Sequence, residues 1–121
     1  MRRSRRLRMR PEAAGEAREM VREFDLSPRQ GTDATLLLSE VVTNSVRHAG
    51  LGDDDAIEVV LDAGDVLRVE VRDRGAGFEP AALEPDPARP NGWGLYLVEQ
   101  LADRWGVDKG PPTTVWFELS A

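Results

Sequence analysis

Cysteine is absent from the 121 residues, which excludes disulfides, thiolate metal sites and cysteine nucleophiles, and fits a cytoplasmic chain. A single histidine rules out a multi-histidine metal site within one chain. No apolar run approaches the roughly 20 residues needed to cross a bilayer. Positive residues open the chain with no apolar stretch behind them, so no secretory signal is expected there. Acidic residues are missing from the first ten positions, which hold six arginines. Because the formal net charge is −6, the remaining residues carry a surplus of twelve negative charges. A basic arm can bind nucleic acid, but that acidic remainder repels phosphate backbones and no aromatic residues are interleaved with the arginines. Direct nucleic-acid binding is therefore not expected, and neither is membrane association.

What is present suits one α+β domain. Apolar residues make up 40% and charged residues 31%, as in ordinary globular chains. Residues 1–10 read as a basic N-terminal arm or edge strand, with Leu7 and Met9 alternating with arginines. Pro11-Glu12 opens a helix that runs to about residue 24, and a second helix is expected from about Thr32 to Ala49, ended by Gly50 and Gly52. Asp53-Asp54-Asp55 reads as a polar turn. Ile57, Val59 and Leu61, then Leu67, Val69 and Val71, alternate with polar neighbours and predict a hairpin joined by Ala63-Gly64-Asp65. Residues 77–92 contain four prolines and predict a long loop, which inside a compact domain is usually functional. Leu95 to Ala102 is helical in spacing, and Trp105–Val107 with Thr113–Leu119 reads as a closing hairpin around Pro111-Pro112. The fold class is a two-layer sandwich of a mixed, mainly antiparallel sheet with helices on one face.

Three segments suggest chemistry. Glu40, Asn44 and His48 step by four along the second helix and form a polar stripe flanked by Leu36 and Leu37. Asp73 shares a face with Leu67, Val69 and Val71, the face that must be the core, where an ionised carboxylate is costly unless it accepts hydrogen bonds. The amino group of a flat ring such as adenine is a suitable donor. Gly75 and Gly77 follow and leave room for a ligand near the backbone. Gly92-Trp93-Gly94-Leu95 places bare amides where the long loop meets a helix, a possible anion site. Each segment has a plainer reading as well: a solvated stripe, a turn-capping Asp, a hinge. Neither glycine pair continues into a Walker loop or a dinucleotide fingerprint.

Glu40-x-x-x-Asn44, Asp73-x-Gly75-x-Gly77 and Gly92-x-Gly94-Leu95, in that order, resemble the N, G1 and G2 boxes of GHKL (Bergerat-fold) ATPases. The small anti-sigma-factor serine/threonine kinase branch is the most similar, over about residues 11–119. The resemblance implies ATP and Mg²⁺ as cofactors, Glu40 as general base, Asn44 as metal ligand and Asp73 at the adenine amino group. It also implies that Gly75, Gly77, Gly92, Gly94 and Leu95 shape the pocket and a lid at about 77–93, and that a threonine of the last strand assists at adenine. Thr113 is the better candidate than Thr114, because it shares a face with Val115, Phe117 and Leu119. His48 is given a supporting role only. Arg89 is a possible phosphate contact in a lid that lacks lysine. A sigma factor, an anti-sigma-factor antagonist and a homodimer are the implied partners. The alternatives are a non-catalytic ATP-dependent partner-binding switch, a sensor histidine kinase domain and an arginine-arm nucleic-acid binder.

Overall fold

The computed structural model describes residues 1–48, 56–73, 94–108 and 113–121. Its elements are β1 (Arg2–Arg8), α1 (Ala13–Arg22), α2 (Pro28–His48), β2 (Ala56–Ala63), β3 (Val66–Asp73), α3 (Gly94–Leu101), β4 (Arg104–Asp108) and β5 (Thr113–Ser120). One five-stranded sheet has the order β1-β2-β3-β5-β4. The mixed sheet expected from sequence resolves into antiparallel pairing at every described junction. The expected lid, the Asp53-Asp54-Asp55 turn, the Gly50 and Gly52 helix stop and the Pro111-Pro112 turn lie outside the described residues.

Alternation divides the sheet into two chemically distinct faces. Ile57, Val59, Leu61, Leu67, Val69, Val71, Val115, Phe117 and Leu119 are all buried and face the helices. Each such side chain contributes about 1.5–3 kcal/mol relative to exposure. The opposite face carries Arg68, Glu70, Arg72, Glu58 and Glu118 in a connected ion-pair network. Arg68 also stacks 4.3 Å from the ring centre of Trp116. One packed face and one polar face is what an antiparallel sheet with helices on one side requires.

β1 lies within the stretch 1–10 read as an arm or edge strand, and its pairing with β2 runs from Arg2↔Asp62 to Arg8↔Ala56. The start of the second helix differs from the sequence reading. α2 begins at Pro28, four residues before the expected Thr32. Ser27 Oγ accepts from the Gln30 N–H at 3.2 Å and Gln30 Oε1 accepts from the Ser27 N–H at 3.2 Å. Ser-Pro-x-Gln is thus a capping box with proline at the first helical position, so Ser27-Pro28 starts the helix.

The start of α2 is fixed to the far end of β5. Gln30, itself buried, donates to the Leu119 carbonyl at 3.1 Å. The Arg29 guanidinium donates to Asp103 at 3.0 Å, to the Ser120 carbonyl at 3.0 Å and to the Leu101 carbonyl at 2.9 Å. One helical turn therefore joins α2, the α3–β4 connection and β5.

Candidate functional site

The site is built from the opposite ends of those same elements. α2 lies against β3 and β5. Asn44 is fourteen residues beyond Gln30, about 21 Å along the helix. Thr113 is six residues before Leu119, about 20 Å along β5. From the shared Gln30–Leu119 anchor, the two lengths are thus similar. Glu40 lies one turn nearer the anchor.

At that sheet end Asp73 pairs directly with Thr113 on one side and with Ile57 on the other. Asp73 is 2% exposed and Thr113 3%, so a carboxylate and a hydroxyl stand side by side on the buried face. Thr113, as expected, faces inward; Thr114 is half-buried and paired with Arg72 on the polar side. Asp73 does not stand alone there and has a polar interaction.

The two leucines expected to flank the polar stripe of α2 differ in setting. Leu37 is buried together with Val41, Leu38 and Val42. Asn44, 6% exposed, is the margin of this wide buried arc, and half-buried Glu40 lies next to it. Leu36 is 41% exposed, so Glu40 is shielded on the Leu37 side and not on both. Burial pushes the Glu40 carboxyl above its ordinary value, while the charge of Arg47 acts in the lowering direction. Glu40 Oε2 is buried without a hydrogen-bond partner among the described residues. An acceptor in that position is costly unless something polar reaches it.

Ser45 Oγ, beside Asn44, is buried and without a partner in the same sense. Neither Ser45 nor Arg47 is among the sequence candidates. Arg47 could have been found, because seven residues make two helical turns and place it on the Glu40 side. Ser45 carried no such signal, since small hydroxyl residues are common on buried helix faces.

Of the remaining candidates, Gly94 is the first residue of α3 and Leu95 lies in its first turn. Gly75, Gly77, Gly92, Trp93 and Arg89 lie outside the described residues, as does the side chain of His48. The structure thus pairs Asp73 with Thr113 across β3 and β5, and sets Glu40 and Asn44 together on one margin of α2. Among the described residues, no helix is long and apolar enough to cross a membrane.

Comparison with known proteins places this arrangement. The family described as a histidine kinase-like ATPase domain matches residues 4–118. The chain is 34% identical over 84 residues to the serine-protein kinase RsbW of Listeria monocytogenes, covering 59% of this chain and 54% of that protein. It is 30% identical over 97 residues to the serine-protein kinase RsbW of Staphylococcus aureus, covering 69% and 61% respectively. The matched region thus spans about half the length of the Listeria relative. A crystal structure of the RsbU and RsbW domains of a Mycobacterium tuberculosis protein superposes with a TM-score of 0.76 over 99% of this chain and 32% of that one, at 22% identity. That likeness is one of fold.

Proposed function

The chain belongs to the histidine kinase-like ATPase domain family, and from that premise we propose that it is an ATP-dependent serine/threonine kinase of the anti-sigma-factor type. Its substrate is an anti-sigma-factor antagonist, and its regulatory partner a sigma factor. The observation that carries the reading is the buried Oε2 of Glu40, without a partner among the described residues, one turn from buried Asn44. Oxygen donors of this kind suit Mg²⁺, which takes hard ligands and needs few from protein when phosphates and waters complete its shell. Asn44 is the residue that holds the metal, and Asp73 with Thr113 receives the adenine edge.

When bound, Mg²⁺ neutralises charge on the phosphates of ATP. Glu40 accepts the proton of the incoming serine or threonine hydroxyl at Oε2. Its partial burial raises its proton affinity and so makes it a better base than an exposed carboxylate. Buried Asp73 presents an acceptor in a water-poor setting, where the exocyclic amine of adenine is preferred over a carbonyl that would repel it.

The test is incubation of the protein with labelled ATP, Mg²⁺ and candidate antagonists. Glu40→Ala is expected to abolish the phosphorylated antagonist, with ATP affinity changed less than threefold. ATP binding without any phosphorylated partner, at every antagonist tried, would leave a partner-binding switch as the activity. Asp73→Asn places an amide donor toward the adenine amine and is expected to weaken ATP at least tenfold, read by calorimetry. Unchanged affinity would remove Asp73 from the adenine site.

A further inference from the structure

The arginine-rich β1 is not used by the nucleotide reading, and its geometry has a consequence of its own. Among the described residues, β1 is an outer strand of the sheet and pairs with β2 alone. The Met1 amine donates to the Ala63 carbonyl and the Ala63 N–H to the Met1 carbonyl, each at 2.8 Å. Antiparallel bonding alternates along a strand, so Met1, Arg3, Arg5 and Leu7 direct their backbone groups to β2. Arg2, Ser4 and Arg6 then direct theirs to the open edge, while the Arg8 carbonyl accepts from the Arg10 N–H at 2.8 Å. The same parity places the side chains of Arg2, Arg6 and Arg8 on the polar face of the sheet, beside that edge.

We propose that this edge receives an extended acidic peptide segment as an additional strand. Six arginines and no acid occupy the first ten positions, and Arg2, Arg3, Arg5, Arg6, Arg8 and Arg10 are all exposed. Among the described residues only Arg3 of this group has an ion-pair partner, Glu23 at 2.9 Å. One or two charges suffice to blunt an edge against aggregation. A seven-residue edge with charges of a single sign goes further: it selects for the opposite sign.

Charge also decides against a second copy of this chain. Antiparallel pairing of two β1 strands about Arg5 sets Arg2 against Arg8 and Arg5 against Arg5, and like charges directly opposite destabilise a ladder. An added strand with Glu or Asp at alternate positions meets Arg2, Arg6 and Arg8 on the polar face. Its intervening side chains turn toward the helix side. There a cavity of ≈ 290 Å³ lined by Arg3, Ser4, Arg5, Met20 and Glu23 has room for one of them. Backbone bonds supply the attachment, and the two rows of side-chain contacts supply the selectivity.

The probe is a fluorescein-labelled peptide that alternates Glu with Thr, titrated with the full chain and followed by anisotropy. Saturable binding is expected, absent for the same peptide with Lys in place of Glu. Arg2→Glu/Arg6→Glu/Arg8→Glu is expected to weaken it at least tenfold. Ser4→Pro is the sharper variant. It removes a donor from the open edge and none from the β1–β2 ladder, so the fold and all arginines remain. It too should weaken the peptide at least tenfold with Tm nearly unchanged, and it decides the matter if the triple variant does not fold. Binding that ignores Ser4→Pro overturns strand addition. So do preference for a short DNA duplex, a dimer that Ser4→Pro dissociates but the peptide does not displace, and no binding at all.

Discussion

Glu40 shows how a helix margin shifts a carboxyl. Its carboxyl is neither in the core nor in water, and burial raises its proton affinity while Arg47 opposes the rise. A carboxyl whose folded pKa lies above its unfolded value makes the native state bind its proton more tightly. Its contribution to stability is therefore present at low pH and lost as pH rises from the unfolded to the folded value. Above that window the raised pKa of Glu40 is a cost to the fold. Glu40→Gln is expected to leave Tm at pH 7 unchanged or higher while phosphotransfer falls by about two to four orders of magnitude. The wild-type rate should decline toward acid with an apparent pKa above that of an ordinary glutamate. A Tm several degrees lower in the variant would mean that the carboxylate is structural.

At the scale of elements, α2 is a lever held at one end and used at the other. Ser27 and Gln30 form its capping box, and Ser27→Ala is expected to lower stability by about 1 kcal/mol in chemical denaturation. Gly31, one position further on, has nothing within 4 Å of the place a Cβ would occupy. Gly31→Ala should therefore stabilise by about 0.5–1 kcal/mol, because it removes chain entropy from the unfolded state without a clash. Gly106 is the opposite case. A Cβ there would meet the Trp116 indole at 2.8 Å, across the Gly106↔Trp116 pair. Gly106→Ala is expected to displace the ring from Arg68, visible as a shift in tryptophan emission together with a lower Tm.

For the whole molecule, the acid limb of stability belongs to the clasp that closes the sheet's far end. Hydrogen bonds from Arg29 and then from Ser120 hold the Asp103 carboxyl well below the usual carboxylate range. Because the folded pKa is depressed, this contribution is present above the unfolded pKa, near 4, and is lost as pH falls below it. Asp103→Asn should lower Tm at pH 7, and the gap from wild type should close toward pH 2. A gap independent of pH would mean that the clasp acts through neutral hydrogen bonds alone. On the polar face, burial pushes Glu70 up, but hydrogen bonds from Arg68 and Arg72 outweigh it and hold the carboxyl lowered.

The sequence alone determined the periodic parts. Alternation identified β2, β3 and β5 and turned Asp73 and Thr113 inward, because a strand has only two faces and one must be apolar. The four-residue step put Glu40 and Asn44 on one helix stripe. Local signals misplaced the start of α2 only where the capping box at Ser27 went unread. The tertiary structure alone decided that β5 inserts between β3 and β4, which sets Thr113 beside Asp73 although forty residues separate them. It also decided that Glu40 has one shielded side and one open side. Periodicity states which way a residue faces; only the packing of distant elements states what it faces.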